Sequence, residues 1–373
     1  MRRQASRAKG TFCLCSEAGI LAAIEAGGED PYTFDCNGPT TVVTEAEVDI
    51  DNDVILDGGG NLTVAVAPLS GDPWEPPAFA FSVPTGVKAE LHRLTVDSLR
   101  SWDRATGGVA NEGTLTIRDC VISGGSVASQ GAGGRGIDNA GEMSILNSTV
   151  SENDSGGIYN GCSATLTLVN STVSDNFEGG DGGGPFGGGI LNYGEMTIIN
   201  STVSGNTVET FTPEGGGVSG GGIANSGWMS LINSTVSGNS ADSGEAIAVS
   251  STTASCPDLY TEIANTLIDG DCDDTEGGSN SMWVSKGYNI ESPGDTCGFD
   301  QQGDQAGVGE QELNLGPLAD NGGPTMTHPL LPGSVASDRI PAVDCRVAED
   351  RRGEPRPETG GTTCDVGAFE VQP

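Results

Sequence analysis

The sequence predicts an all-β chain: a single right-handed parallel β-helix, or solenoid, with a short N-terminal capping helix and an irregular C-terminal cap. The phrase Asn-Ser-Thr-Val-Ser follows a short apolar run four times, with copies beginning at Asn147, Asn170, Asn200 and Asn233. A second motif recurs in register with the first, in the forms GGIYN, GGILN and GGIAN. A unit this small cannot bury its own apolar face, so each repeat must stack on its neighbours as one rung of a coil.

Stacking would bring the asparagines of the two phrases into two columns. One column is Asn147, Asn170, Asn200, Asn233 and Asn265, and its register extends back to Arg93 and Asp119. The companion column is Asn111, Asn139, Asn160, Asn192 and Asn225. At a rung spacing of roughly 4.8 Å, each inward amide can bond to the next and satisfy polar groups that would otherwise be buried unpaired. The right-handed sense follows from the strong preference of parallel crossover connections.

The chain divides into three predicted regions. Residues 1–40 hold an N-terminal segment and the capping helix, because the run from Ser16 to Ala26 has an N-cap serine, an early glutamate and Gly27 as a stop. Residues 41–269 alternate short strands with turns and form the β-helix. Residues 270–373 are rich in Pro, Gly and Asp, and we expect last-rung loops and a cap that folds onto the final rung.

Composition limits the possible partners. With 59 Gly and 5% aromatic residues among 373, the chain has material for one long, thin core. Its 16 basic and 52 acidic residues give a net charge of −36, which disfavours nucleic acid and anionic membrane surfaces. Calcium would suit such carboxylates, and Asp49, Asp51 and Asp53 alternate along one predicted strand. We expect a monomer without a transmembrane segment, and the start of this sequence lacks a signal-peptide-like apolar stretch.

Ten cysteines favour an oxidising compartment, and therefore an extracellular or cell-surface location. A disulfide is predicted in each of the two caps, between Cys15 and Cys36 and between Cys345 and Cys364. Two of the three residues Cys256, Cys272 and Cys297 are also expected to pair. The sequence indicates no partner for Cys13, Cys120 or Cys162.

The repeats resemble the right-handed β-helix proteins of the pectin-lyase-like class, and the GGI-x-N phrase is similar to repeats of bacterial polymorphic outer-membrane adhesins. The stretch from Asn314 to Asp338, with DRRGEPRP and the terminal CDVGAFE, resembles the choice-of-anchor Q region of secreted bacterial β-helix proteins. These resemblances imply an architecture and export. They carry no motif for a reaction, and fold alone does not fix function.

Two sets of residues are candidates for catalysis. Arg118 and Asp119 align with His92 and Arg93 of the preceding rung and form a mixed cluster that a polysaccharide lyase could use. Glu142 and Glu195 share a column two rungs, or roughly 9.6 Å, apart, which is within range for an inverting glycosidase. Trp228 follows in the same column and could stack on a sugar. A solvated surface role is the competing interpretation of both sets.

The insertions between repeats are candidates for ligand recognition, since loops on a rigid scaffold often carry binding sites. Phe177, Phe186 and Phe211 lie in them, together with acids such as Glu178. An outward apolar column is either covered by a loop or free for interaction, and it consists of Leu146, Val169, Ile199 and Ile232. A neighbouring outward rank of threonines, beginning at Thr149, leaves ice binding as a minor alternative.

The sequence therefore favours an exported, surface-associated or secreted module for binding, adhesion or structure, with a carbohydrate or cell-surface ligand. The alternative is a carbohydrate-active lyase or hydrolase of the pectin-lyase-like class. A cleft with converging charged residues would distinguish the enzyme from the binding module.

Overall fold

The chain folds as one right-handed parallel β-helix, as predicted. The computed structural model describes residues 11–66, 77–99, 105–126, 134–180, 186–210, 219–242, 244–250, 256, 259–274 and 283–373. Each rung crosses three faces in chain order. Face one is a nine-stranded sheet, and faces two and three are the two halves of a nineteen-stranded sheet that bends at a corner.

Face one carries the GGI-x-N phrase, and all its strand pairs are parallel. Its strands are Val48–Asp49, Ala78–Val83, Thr106–Asn111, Ile137–Asn139, Ile158–Asn160, Ile190–Asn192, Ile223–Asn225, Ile247–Val249 and Cys272–Asp274.

Faces two and three are also parallel, and two long early strands run across both of them. The strands of this sheet are Thr11–Cys13, Tyr32–Phe34, Thr40–Thr44, Val54–Val66, Lys88–Asp97, Thr114–Arg118, Val121–Ser123, Glu142–Leu146, Thr149–Ser151, Thr165–Val169, Thr172–Ser174, Glu195–Ile199, Thr202–Ser204, Trp228–Ile232, Thr235–Ser237, Tyr260–Ala264, Leu267–Asp269, Trp283–Ser285 and Ile290–Ser292. Three small sheets lie outside the coil: Phe177–Gly180 with Thr207–Thr210, Phe186–Gly187 with Ser219–Gly220, and Ile340–Pro341 with Thr363–Cys364.

The N-terminal helix Glu17–Ala26 closes the first rung, and a second, one-turn helix spans Glu310–Leu313. The Ser16 hydroxyl accepts a hydrogen bond from the Gly19 amide at 3.2 Å, as an N-cap should. Ile20 and Ile24 are buried in the same core as the rungs. Gly27, at φ 57°, ends the helix.

The companion asparagine column is confirmed as a continuous inward ladder on face one. Side-chain amides bond from Asn111 to Asn139, Asn160, Asn192 and Asn225 in turn, at 2.7–2.8 Å. Every member is at most 1% exposed. The ladder therefore carries a polar chain through the core without leaving its amides unpaired.

The first asparagine column has a different role from the one predicted. All seven aligned positions have left-handed φ angles, 46–55°, at the corner between faces two and three. Asn tolerates this conformation better than other non-glycine residues, which explains its recurrence. Amide contacts are intermittent: Asn170 reaches Asn147 at 3.3 Å, but Asn200 instead donates to the Glu349 carbonyl oxygen at 2.8 Å. The prediction of a continuous inward ladder here was wrong.

Two further ladders of buried polar side chains were not predicted from the sequence. The serine after each corner points inward, and its hydroxyl accepts from the backbone N–H of the serine on the preceding rung, as Ser171 does from the Ser148 amide at 3.1 Å. A third set of buried amides, Asn153, Asn176, Asn206 and Asn239, bonds in series at 2.8–2.9 Å. All three ladders satisfy polar groups at bends of the coil.

The C-terminal block lies along face three and does not simply close the open end. The Thr172 hydroxyl donates to the Met326 carbonyl oxygen at 2.9 Å, and the Ala368 amide donates to the Thr235 hydroxyl at 3.0 Å. Thr172, Thr202 and Thr235 are consequently at most 3% exposed. The predicted flat threonine rank for ice binding is thus covered over these rungs. Cys297 and Phe299 pack against the end of the main core instead.

Eight of the ten cysteines pair. Cys15–Cys36 and Cys345–Cys364 are confirmed, and Cys272–Cys297 is the predicted pair among the late cysteines. Cys162, for which no partner was foreseen, pairs with Cys256. Cys13 and Cys120 are free. No helix in the described part of the chain is long and apolar enough to cross a membrane.

Candidate functional site

The variable position of the GGI-x-N phrase points outward from face one. Strand alternation turns the flanking isoleucine and asparagine inward, where they are buried, so the residue between them faces outward. Parallel register stacks these residues in one column: Asp49, Ser82, Ala110, Asp138, Tyr159, Leu191, Ala224, Ala248 and Asp273. Asp138 and Tyr159 are therefore neighbours on adjacent rungs.

Around these two residues lies a group that we name the tyrosine–carboxylate cluster: Arg135, Asp138, Tyr159, Glu178 and Tyr193. The Arg135 guanidinium carbon is 5.0 Å from the Tyr159 ring centroid, and its Nε is 3.9 Å from Glu178 Oε2. The Tyr159 and Tyr193 ring centroids are 5.8 Å apart, with a tilt of 60°. Cation, aromatic rings and carboxylates thus converge on one patch.

Glu178 reaches this patch from an insertion. Its strand, Phe177–Gly180, pairs with Thr207–Thr210 from the following insertion, which fixes its backbone. A Cβ on Gly156 would lie 2.7 Å from Glu178 Oε2, and Gly156 has φ 83°. Glycine is required there both for the left-handed backbone and for the carboxylate above it.

Burial controls the acid–base chemistry of the cluster. It raises the pKa of the Glu178 carboxyl, and the nearby Arg135 opposes the rise only in part. The pKa of Asp138 is raised by the same two influences in the same order. Burial, then the neighbouring Tyr159, raises the pKa of Tyr193. A carboxyl group whose pKa is raised can hold a proton and deliver it to a reacting oxygen.

An open groove lies on the earlier rungs of face one, and Ala110, which lines it, is one rung from Asp138 of the cluster. Its cavity has a volume of about 610 Å³ and includes Ser82 and Ala110 of the outward column. The other lining residues combine carboxylates with apolar rings, and they are Glu47, Asp49, Asp51, Pro77, Phe79, Val83, Pro84 and Glu112. Mixed apolar and polar linings of this kind are typical of ligand sites.

The residues predicted as a lyase-like cluster lie elsewhere. Arg118 is opposite His92, as predicted, but on face two. Asp119 sits at the corner, where its carboxylate accepts from the Asn147 amide at 3.1 Å, and Arg93 pairs with Asp57. The structure does not bring these residues to the tyrosine–carboxylate cluster on face one.

Glu142 and Glu195 do share a column two rungs apart, through Thr165, at the start of face two. Both are exposed. Trp228 follows in that column and stacks on Tyr260, with centroids 6.2 Å apart and planes 15° apart. This column offers an aromatic surface, but its carboxylates lack the burial of Glu178.

The three aspartates predicted as calcium candidates are split between two cavities. Asp49 and Asp51 line the groove on face one, whereas Asp53 lines a separate pocket with Lys88, whose amide donates to Asp53 Oδ1 at 2.8 Å. Across the described residues, no three histidine, cysteine, aspartate or glutamate side chains come together as a metal site.

The insertion aromatics are held in small sheets. Phe177 is opposite Thr207, and Phe186 is opposite Ser219. Phe211 lies outside the described residues. Each member of the outward apolar column, Leu146, Val169, Ile199 and Ile232, is half-buried. Residues 343–346 of the C-terminal block border Ile232 and so shelter one end of the column.

Glu178 is the one member of the cluster indicated by the sequence, as a loop acid; Arg135, Asp138, Tyr159 and Tyr193 were not predicted. A signal for two of them was present in the repeat itself. The variable letter of GIDN, GGIYN, GGILN and GGIAN changes from Asp to Tyr, Leu and Ala while its flanks stay fixed. Variation at an outward position between two inward ones is where a site can be placed without disturbing the core.

Comparison with known proteins identifies the fold. No family profile and no curated protein sequence matches the chain. Among solved structures, pectate lyase Pel9A is similar with a TM-score of 0.51 and 12% identity, over 98% of this chain and 97% of that one. Rice weevil pectin methyl esterase has a TM-score of 0.36 and 12% identity, over 82% and 90%. The A-module of the Azotobacter vinelandii mannuronan C-5 epimerase AlgE6 has a TM-score of 0.34 and 13% identity, over 78% and 90%. The chain thus shares the parallel β-helix fold of the pectate lyase.

Proposed function

We propose that this protein is a carbohydrate-active enzyme that binds a glycan along face one and hydrolyses it at the tyrosine–carboxylate cluster. The observation that carries the proposal is the pair of carboxyl groups, Glu178 and Asp138, whose pKa values burial raises beside two tyrosine rings. Paired carboxyl groups are the usual machinery of glycoside hydrolysis. The pectate lyase similarity supports the scaffold and not the reaction.

The roles follow from burial. The Glu178 side chain is 12% exposed, and in its protonated form it donates to the glycosidic oxygen as the bond to the anomeric carbon breaks. Asp138, in its ionised form, takes a proton from the attacking water, whose oxygen forms the new bond to that carbon. Arg135 stabilises the carboxylate that Glu178 becomes. Tyr159 and Tyr193 present rings on which a sugar can stack.

The charges favour a neutral glycan over a polyuronate. In the described part of the chain, Arg135 is the one lysine or arginine beside the strands of face one, and Glu178 already engages it. The adjoining groove carries Glu47, Asp49, Asp51 and Glu112. A polymer with a carboxylate on each sugar would be repelled along this path, whereas an uncharged one would not.

A second candidate is a glycan-binding or adhesion module without catalysis. The stacked pair Trp228 and Tyr260 on face two favours it, since aromatic rings on a rigid surface bind ligands at little cost in entropy. The adhesin-like repeats and the choice-of-anchor Q-like C-terminal block belong to this proposal. Either function fits an exported protein, and four disulfides are typical of an extracellular compartment.

The test compares the protein with Glu178→Gln and a matched control, Glu195→Gln, on the exposed face two column. Xylan, mixed-linkage β-glucan, polygalacturonate and chitosan are assayed for reducing-sugar release and for retention in affinity electrophoresis. We expect release from a neutral polymer, a loss of about 10²-fold or more in Glu178→Gln with binding retained, and wild-type rates in the control. Retention without sugar release from any polymer would favour the binding module over the enzyme. Absence of both retention and release would overturn both proposals.

A further inference from the structure

We infer that the face one groove is closed at one end, immediately beyond the tyrosine–carboxylate cluster, so that the site acts on the end of a glycan chain and releases short products. This inference rests on the proposed function. It concerns where along the polymer the bond is broken, which the identity of the acid and base does not determine.

Among the described residues, one side of the cluster is open. Tyr159 and Asp138 are half-exposed, and the column continues through Ala110 and Ser82 into the groove of about 610 Å³. Four rung steps of roughly 4.8 Å separate Tyr159 from the Asp49 end of this path. The open side therefore has room for several sugar units of a chain lying along the axis.

The other side is walled off. Leu191, Ala224 and Ala248 continue the same outward column, yet they are only 4%, 1% and 0% exposed. The chain before each strand folds back over it. Phe186–Gly187 lies on Ile190 and Leu191, and Ser219–Gly220 lies on Ile223 and Ala224.

Glycine makes this wall possible. A Cβ on Gly187 would collide with the backbone of Ile190, and one on Gly220 would collide with the backbone of Ile223. The covering strands also pair with each other, Phe186 opposite Ser219, so they form a continuous second layer. Where the structure describes it, this layer lies directly against the backbone of the sheet and leaves no room for a sugar between the two.

Glu178 stands at the foot of the wall. The Cβ position on Gly156 that would lie 2.7 Å from Glu178 Oε2 would also lie 3.2 Å from the Gly187 carbonyl oxygen. The Glu178 carboxylate and the Gly187 backbone of the wall are therefore near neighbours. A chain that enters from the open side must end close to the bond that Glu178 protonates, so each hydrolysis removes a short terminal fragment.

The experiment uses the whole chain described here and the neutral polymer that it cleaves, together with the same polymer after chemical blocking of its chain ends. We expect short oligosaccharides from the first reaction step, little early loss of viscosity, and no release from the end-blocked polymer. An early fall in viscosity with products of all sizes from both polymers would overturn the closed groove while leaving hydrolysis intact. Absence of release from every polymer would instead count against the proposed function.

A variant separates the groove from the cluster. Ser82→Trp fills the outward column on the open side, two rungs from Asp138. We expect its kcat/KM on the long polymer to fall about tenfold or more, with unchanged hydrolysis of the shortest oligosaccharide substrate. The matched control is Ser144→Trp, on the outward side of face two, and it should behave as the wild type on both. Equal loss on long and short substrates in Ser82→Trp would contradict an open side at this position.

Discussion

The asparagine ladder on face one makes a quantitative prediction at Asn192. Its side-chain oxygen accepts from Asn160 at 2.8 Å. Its side-chain nitrogen donates to Asn225 at 2.7 Å and to the carbonyl oxygens of Gly194 and Trp228 at 3.2 Å each. Asn192→Leu keeps the branching and the number of side-chain heavy atoms but removes all of these bonds from a site that is 0% exposed.

The magnitude follows from what each partner retains. Asn160 still donates to the Glu195 carbonyl oxygen at 3.1 Å, and the Asn225 side-chain oxygen still accepts from the Gly227 amide at 3.2 Å. Neither partner is left wholly unpaired, so the loss is that of weakened pairing at two rungs. We expect the free energy of unfolding to fall by about 1–3 kcal/mol.

Chemical denaturation followed by circular dichroism measures this change, with the slope compared to confirm that unfolding stays cooperative. The control is Asn147→Gly at the corner. That residue is half-exposed at φ 52°, which glycine adopts readily, so its effect should stay within about 0.5 kcal/mol. If Asn192→Leu were as stable as the wild type, or if the corner variant lost as much, the ladder would not be a source of stability.

Three further predictions concern the carboxyl cluster, the C-terminal block and the free thiols. Because the pKa of Glu178 is raised in the folded protein, the folded protein holds a proton that the unfolded chain has released at pH values between the two pKa values. Its contribution to folding stability is therefore fully present below the unfolded pKa and is lost as pH rises through the folded pKa. Glu178→Gln should therefore flatten the dependence of the unfolding midpoint on pH, and an unaltered pH profile would contradict the burial of this group. Limited proteolysis without reductant should leave residues after Asp300 attached, because the block is bonded along face three; its ready removal from a stable coil would show that it is a linker. A thiol reagent should modify Cys13 before Cys120, which is 2% exposed and has its pKa raised to about 12 by burial, and equal rates in the native state would refute that order.

The fold was predictable because its signals are local and repeated. Short apolar runs, fixed turns and the two asparagine phrases specify rungs whatever the insertions between them do. What local sequence could not separate is the role of Asn160 from that of Asn170. Both recur in register beside a strand, but the first turns inward into a ladder and the second adopts φ 51° at a corner. Both roles select asparagine, for different physical reasons.

The path of the C-terminal block was not predictable for a related reason. Its contacts join residues far apart in sequence, such as the Thr172 and Thr325 hydroxyls at 3.1 Å. Arg351 is almost fully buried there and donates to the Thr172 hydroxyl. A charged residue that the sequence alone would place on the surface is therefore packed between the block and the coil. The sequence of the block has no repeat, so no periodic pattern predicts such a contact.

Under the proposed function, face one carries stability and chemistry on alternate residues of the same strand. In Ile158–Asn160 the outer two side chains are at most 1% exposed and hold the core and the ladder, while Tyr159 between them is free to face a ligand. A change at an inward position disturbs every neighbouring rung through the ladder, whereas a change at the outward position alters only the surface. Two substitutions separate these roles: Asn192→Leu should lower stability without a selective loss on long chains, and Ser82→Trp should lower turnover of long chains without lowering stability.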